Sequence, residues 1–175
     1  MKIFKQSKLS ITRDNLILHD KNYGTKFGIK KNIDWFFSKN EYGVVLEDDC
    51  LPSDLLFDTM LESLEKHKKS DKFMMISCSD YLPESQNKSK TFFRESYFPM
   101  IWGWAGWADK WKLMRKSLLD KKRIRLNKLL DSRYLYWTVG ANRALTGKVD
   151  TWDTPLAFEF IKQGKLCLIP PVNLV

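Results

Sequence analysis

The side chains best suited to chemistry are three consecutive carboxylates, Glu47, Asp48 and Asp49. They follow the apolar run Val44-Val45-Leu46, which predicts a short β-strand. Since side chains alternate along a strand, we expect Glu47 and Asp49 on one face and Asp48 on the other. Carboxylates crowded at a strand end repel one another unless a cation lies among them, and Mg²⁺ or Mn²⁺ binds through such oxygens together with phosphate groups. In the simpler alternative, the triplet is a solvated strand end or the acidic first turn of the next helix.

A second group of residues is aromatic and surrounds two glycines, Gly103 and Gly106. We predict that Tyr97, Trp102 and Trp104 form a platform on which a sugar ring stacks, or a loop that closes over a ligand. The glycines supply the backbone freedom that either role requires. This segment is therefore the second candidate binding region.

The same segment contains an apolar stripe with helical spacing. Trp104, Trp107, Trp111 and Met114 lie at positions i, i+3, i+7 and i+10, which predicts a helix with one apolar face. A helical stripe of aromatic residues is usually a packing surface. We therefore interpret Trp107 and Trp111 as core residues.

Charge is unevenly distributed along the chain, which carries a net charge of +9. Residues 43–65 contain seven acids and no Lys or Arg, whereas residues 115–128 contain seven bases and one acid. An acidic centre beside a basic segment favours a metal ion with a phosphorylated ligand over a uniform coat for nucleic acid. The basic segment either contacts a diphosphate or is a solvated surface.

Apolar periodicity and turn residues predict alternating strands and helices, which is typical of an α/β fold. The predicted strands are residues 15–18, 44–46, 73–76 and 166–169. Helices are predicted to begin at Gly28, after the cap residue Ser53, near residue 134 and at the cap residue Thr154, and Gly164 is expected to end the last of them. Residues 82–90 are polar and predict a loop.

Length and composition predict one domain, residues 1–175, in a cytoplasmic protein. Three cysteines cannot all pair, which excludes a disulfide-stapled secreted protein and favours a reducing compartment. We find no signal peptide and no apolar run of transmembrane length. Peripheral association with the inner face of the membrane stays open.

Taken together, these segments resemble GT-A nucleotide-sugar glycosyltransferases. They look most like bacterial relatives of the N-acetylglucosaminyltransferase that initiates hybrid and complex N-glycans. The run that is similar to the acidic DxD-type signature of this family is Val44-Val45-Leu46-Glu47-Asp48-Asp49-Cys50-Leu51-Pro52. The resemblance continues through residues 75–77, 97–107, 150–153 and 169–173, and so covers residues 22–175. It implies a mixed, mainly parallel sheet flanked by helices, as in other Rossmann-like nucleotide-diphospho-sugar transferases.

The resemblance also implies roles for the acidic residues. Asp49 would be the direct ligand of Mn²⁺ or Mg²⁺, with Glu47 and Asp48 directed toward the ribose or the donor sugar. Asp153, in the motif Asp150-Thr151-Trp152-Asp153, would be the general base of an inverting displacement. Judged without the family, Asp153 is an ordinary helix-start residue.

The implied function is transfer of a sugar from a nucleotide-diphosphate sugar to a glycan or other hydroxyl acceptor, with no nucleic-acid partner. We expect the donor to be bound also by Trp102, Gly103, Trp104 and Trp152. Members of the family begin with a strand and loop that hold the nucleotide base, whereas only 46 residues precede Glu47 here. The sequence therefore predicts an N-terminally truncated domain.

Two functions of other classes remain open at this point. A truncated domain is compatible with a catalytically inactive remnant or an interaction module. A pI of about 9.4 suggests nucleic-acid binding, which the acidic window and the lack of a known reader motif disfavour.

Overall fold

The computed structural model describes residues 15–81, 92–116 and 132–175. Its centre is one five-stranded sheet in the order β1-β4-β2-β5-β3. The strands are β1 (Tyr42–Val45), β2 (Phe73–Ser77), β3 (Arg94–Ser96), β4 (Trp104–Trp107) and β5 (Leu166–Ile169). The helices are α1 (Gly24–Lys39), α2 (Leu56–His67), α3 (Ala108–Met114), α4 (Ser132–Leu145) and α5 (Asp153–Gln163). The predicted α/β class with a mixed sheet flanked by helices is confirmed.

The prediction that the sheet is mainly parallel is met only in part. Strands β2 and β5 pair in parallel, whereas the β1–β4, β2–β4 and β3–β5 pairs are antiparallel. Strands β1, β2 and β5 nevertheless point the same way, because β4 lies between β1 and β2 and runs against both. A parallel neighbour needs a long crossover, and β3 and β4 are reached without a helical one within the described residues.

The helix predicted from the tryptophan stripe is wrong in its first half. Residues Trp104–Trp107 form β4, and only Trp111 and Met114 of the stripe lie on α3. Trp104 pairs with Val45 on one side and with Ser77 on the other, so β4 is an interior strand with every residue buried. A strand buried on both faces shows no alternation, and its apolar residues continue by chance into the helical spacing of α3. The assignment of Trp107 and Trp111 to the core is confirmed.

The core has one part on each face of the sheet. On one face, α1, α3 and α5 supply Phe37, Trp111, Leu156 and Phe160, which cluster with Trp104 of β4. On the other face, α2 packs its buried residues against the sheet, namely Leu56, Met60 and Leu64. In the described ranges, none of the helices has both the length and the apolarity that crossing a membrane requires.

Several sequence predictions agree with the structure and others do not. Strand β5 has the predicted bounds, β2 extends one residue further, and Gly164 ends α5 in the left-handed conformation with φ 61°. Residues 15–18 are not a strand, and α1 begins four residues before Gly28. The predicted loop at residues 82–90 lies outside the described residues, as does the basic segment after Lys116.

The early start of α1 has a cause 125 residues away in the sequence. The Asp150 carboxylate accepts hydrogen bonds from the backbone N–H of Thr25 at 2.7 Å and of Lys26 at 3.1 Å. These are N–H groups of the first helical turn, which have no partner inside the helix. Gly24, with φ 73°, lets the backbone approach this carboxylate closely. Asp150 therefore ties the start of α1 to the segment that leads into α5.

We expect Asp150→Ala to lower the free energy of unfolding by about 1–2 kcal/mol, the usual cost of a lost N-cap. Asp150→Asn keeps one carbonyl acceptor and should cost less. Urea denaturation of both variants beside Glu62→Ala, which removes an exposed acid of α2, measures the difference. An Asp150→Ala variant as stable as Glu62→Ala would show that this cap contributes nothing.

Candidate active site

One edge of the sheet gathers the predicted functional residues. Because β1, β2 and β5 run the same way, their carboxyl ends meet there, together with the starts of β3 and β4. We call this the carboxyl edge; it comprises residues 46–50, 78–81, 92–94, 102–104 and 170–175. Open α/β sheets bind ligands outside the carboxyl ends of their strands.

The acidic triplet lies at this edge in a turn, not on a strand. Strand β1 ends at Val45, and the backbone N–H of Cys50 donates to the carbonyl of Glu47 at 3.1 Å. The predicted alternation of the three side chains across the sheet is therefore wrong, since alternation ends with the strand. Asp48 and Asp49 are exposed, whereas Glu47 is half-buried and its Oε1 is buried without a hydrogen-bond partner among the described residues.

Electrostatic coupling links the triplet to Asp153. The pKa of Glu47 is raised above its ordinary value, first by burial and then by the negative charges of Asp49, Asp48 and Asp153. Asp153 is 106 positions away in the sequence, so only the fold brings it into range. Four carboxylates thus share one electrostatic neighbourhood, in which a cation would be favoured.

This donor set fits a hard divalent ion. The exposed carboxylates of Asp48 and Asp49 offer oxygen ligands, and Mg²⁺ typically binds one or two carboxylates plus phosphates and water. Across residues 15–81, 92–116 and 132–175, no three or more His, Cys, Asp or Glu side chains form a ready-made metal cluster. The remaining ligands of an ion at Asp49 would be phosphate and water oxygens.

Asp153 is the first residue of α5 and is held by its neighbours. Its Oδ1 accepts hydrogen bonds from the Thr151 hydroxyl, from the Thr154 backbone N–H at 2.7 Å and from the Thr154 hydroxyl at 3.2 Å. None of the described residues donates a hydrogen bond to Oδ2. Thr154 was predicted as the N-cap of α5, but it lies inside the helix. One carboxylate oxygen therefore fixes the orientation of the side chain, and the described residues leave the other without a hydrogen-bond donor.

Of the four residues predicted to bind the donor in addition to Glu47 and Asp48, two, Trp104 and Trp152, lie in the core. They are 1% and 2% exposed, and their rings contact each other with centroids 6.4 Å apart. Phe37 and Trp111 also pack against Trp104, so the stacking role predicted for Trp104 is wrong. Trp152 precedes Asp153, and Trp104 pairs with Val45, two residues before Glu47. The two tryptophans therefore set the spacing between Asp153 and the triplet.

The other two, Trp102 and Gly103, lie at the carboxyl edge. The Trp102 side chain is about half exposed, whereas Gly103 is buried with φ 71°. The Gly103 carbonyl accepts a hydrogen bond from the backbone N–H of Cys78 at 2.9 Å. Tyr97 of the predicted platform is also exposed. The backbone at Gly103 thus joins the start of β4 to the end of β2 below the Trp102 side chain.

Gly103 cannot accept a side chain without cost. A Cβ there would lie 3.0 Å from Val175, 3.1 Å from Cys78 and 3.1 Å from Leu46. We expect Gly103→Ala to lower the free energy of unfolding by about 2–5 kcal/mol, from left-handed backbone strain and overpacking together.

The matched control is Gly147→Ala, because Gly147 has φ 75° but open space around its Cβ position. Gly147→Ala should lower the free energy of unfolding only by the left-handed backbone strain, about 1–2 kcal/mol. Chemical denaturation of both variants separates the two contributions. Equal losses would show that the contacts at the carboxyl edge are not tight.

Sequence reasoning missed a polar cluster at the same edge. Asp80, after β2, forms a 2.5 Å ion pair with Arg94 at the start of β3. Among the described residues, the buried side-chain atoms that lack a hydrogen-bond partner are Glu47 Oε1, Ser79 Oγ, Arg94 Nε and Trp104 Nε1. The first three belong to the carboxyl edge, whereas Trp104 Nε1 lies among the aromatic rings of the core. Buried polar groups are normally paired, so such a concentration marks a site for water or ligand atoms.

The basic segment contributes little that the structure describes. Arg115 pairs with Asp34 of α1 at 3.0 Å, and Trp111 Nε1 donates to the same carboxylate at 2.7 Å. These contacts, with Lys30, hold the pKa of Asp34 below its usual value even though burial opposes the shift. Arg115 therefore has a structural partner away from the triplet.

Neither the protein-family models nor the curated proteins compared with this chain contain a match to it. Function is therefore inferred from the motifs of the sequence and from the geometry of the carboxyl edge.

Proposed function

We propose that this protein is a metal-dependent glycosyltransferase that moves a sugar from a nucleotide-diphosphate sugar to a hydroxyl acceptor with inversion. The observation that carries the proposal is that the fold brings Asp153 near enough to the triplet for its negative charge, with those of Asp49 and Asp48, to add to the effect of burial in raising the pKa of Glu47. Such transfer needs a base for the acceptor and a site that tolerates a departing diphosphate. Carboxylates from two distant motifs offer both functions in one place.

Asp153 acts as the general base in this proposal. Its Oδ2 takes the proton of the acceptor hydroxyl while the acceptor oxygen attacks the anomeric carbon. The bond from that carbon to the diphosphate oxygen breaks, and the diphosphate leaves with the bonding electrons. The hydrogen bonds from Thr151 and Thr154 to Oδ1 keep the carboxylate oriented through this step.

The triplet binds the donor. A divalent ion held by Asp49 would neutralise the negative charge that develops on the leaving diphosphate. Asp48, exposed beside Asp49, is directed to the ribose or the donor sugar. Glu47 lies deeper, and its Oε1, which has no hydrogen-bond partner in the part of the chain that the structure describes, offers an acceptor to a sugar hydroxyl or to a water that contacts one.

Release of nucleoside diphosphate tests the proposal. The protein is incubated with Mn²⁺, with UDP-glucose, UDP-N-acetylglucosamine or GDP-mannose, and with a set of disaccharide acceptors. We expect at least one donor to give nucleoside diphosphate faster with protein than without it, and the release to stop on chelation with EDTA. Binding of a nucleotide sugar without any release would instead support the inactive-remnant alternative.

A further inference from the structure

Two exposed aromatic rings meet at the carboxyl edge outside the carboxylate cluster. Tyr81 follows β2 and Trp102 precedes β4; their side chains are 54% and 47% exposed. The rings contact each other edge to face, with centroids 5.4 Å apart and planes at 80°. Exposed aromatic residues scattered singly are common, but two in contact at a ligand-binding edge are not.

The backbone beneath both rings is held by polar contacts. Next to Trp102, the carbonyl of Gly103 accepts the Cys78 N–H at 2.9 Å. Next to Tyr81, the Asp80 carboxylate pairs with Arg94 at 2.5 Å, and the Asp80 N–H donates to Asn173 Oδ1 at 3.3 Å. The backbone next to both rings is therefore fixed before a ligand arrives, which lowers the entropic cost of binding.

We propose that Tyr81 and Trp102 form a binding platform for an uncharged saccharide, the acceptor of the transfer; this rests on the proposed function. The aromatic faces suit the C–H face of a sugar ring. The charges of Asp80 and Arg94 balance each other. Among the described residues this pairing leaves no unbalanced charge beside the two rings, which suits an uncharged ligand.

The position of the platform assigns it to the acceptor. Strand β4 lies between β1 and β2, and neighbouring strands are about 4.8 Å apart, so the end of β2 lies roughly 10 Å from the end of β1. The donor diphosphate is held at the triplet after β1. Because Trp102 precedes β4, the strand between β1 and β2, a ring on Tyr81 and Trp102 lies next to the donor site, where a saccharide can meet the donor sugar.

Calorimetric titration of the full chain tests the platform. The neutral probes are lactose, maltose and N,N′-diacetylchitobiose; the donor probes are UDP, UDP-glucose and UDP-N-acetylglucosamine with Mn²⁺. The variants are Trp102→Ala and Tyr81→Ala. The matched control is Tyr136→Ala, which removes an exposed tyrosine in edge-to-face contact with Trp137 on α4, with centroids 5.2 Å apart.

We expect one disaccharide to bind the unaltered protein, and both platform variants to weaken this binding by about 3- to 10-fold. Tyr136→Ala should leave it unchanged, and the difference in affinity between UDP and UDP-sugar should stay the same in all variants. Thermal unfolding checks that the variants are folded.

Three results separate the proposals. Donor binding without disaccharide binding overturns the platform and leaves the proposed function standing. A loss in Trp102→Ala confined to UDP-sugar relative to UDP overturns the acceptor assignment, because the ring would then contact the donor sugar. Disaccharide binding that both variants weaken, in a protein that binds no nucleotide sugar, supports the platform and overturns the proposed function.

Discussion

Replacing Asp153 by Asn is expected to slow sugar transfer by about 10²- to 10⁴-fold, the usual contribution of a positioned general base. The amide keeps an oxygen that can accept the hydrogen bonds from Thr151 and Thr154, so the side chain should hold its place. It cannot accept a proton from the acceptor hydroxyl. Donor affinity should be nearly unchanged, because the donor is held by the triplet.

The control for this variant is Asp109→Asn, since Asp109, like Asp153, lies in the first turn of a helix, but it is exposed and belongs to α3. It should keep the transfer rate of the unaltered protein. Single-turnover measurements with saturating donor separate the chemical step from binding. If Asp153→Asn transfers sugar within tenfold of the unaltered rate, Asp153 is not the base.

Replacing Asp49 by Ala is expected to remove the metal dependence of donor binding. Even residues that only support a metal ligand typically change metal affinity or activity by about 10–100-fold, so a direct ligand should cost at least that much. Affinity for the nucleotide sugar in Mn²⁺ should then fall to the value measured in EDTA. Asp49 is exposed and outside the core, so the fold should be retained.

Asp54→Ala is the matched control, because Asp54 is an exposed acid five residues further along the same loop. It should keep the full Mn²⁺ response. The two variants are compared by titrating Mn²⁺ at fixed nucleotide sugar. A response in Asp49→Ala equal to that of Asp54→Ala would exclude Asp49 as the ligand.

Sequence patterns correctly predicted those helix and strand ends that are determined by residues close by in the sequence. Strand β5 is an apolar run closed by Pro170, and α5 ends at the left-handed Gly164, so both were visible in the sequence. The start of α1 was not, because its cap is the distant carboxylate of Asp150. The position of β4 was not visible in the sequence either. Its neighbours β1 and β2 are set by the strand order of the sheet, and the spacing of its tryptophans continues into α3.

In the candidate site, too, some features were visible in the sequence and others depend on the fold. The triplet and Asp153 were identified from their motifs, and the fold brings them into one electrostatic neighbourhood. Burial could not be read from residue type, so Trp104 and Trp152 were taken for binding residues although they pack in the core. The Asp80–Arg94 pair and the Tyr81–Trp102 contact were missed because only the folded sheet brings these side chains together, and no local pattern indicates it.

The most direct test of the central claim is calorimetric titration of the unaltered protein with nucleotide sugars in the presence of Mn²⁺. We expect saturable heat with at least one nucleotide-diphosphate sugar, and we expect this heat to be lost in EDTA and in Asp49→Ala. An absence of heat with every nucleotide sugar, from protein shown to be folded by its thermal transition, would contradict the claim that the carboxyl edge binds a metal-linked donor.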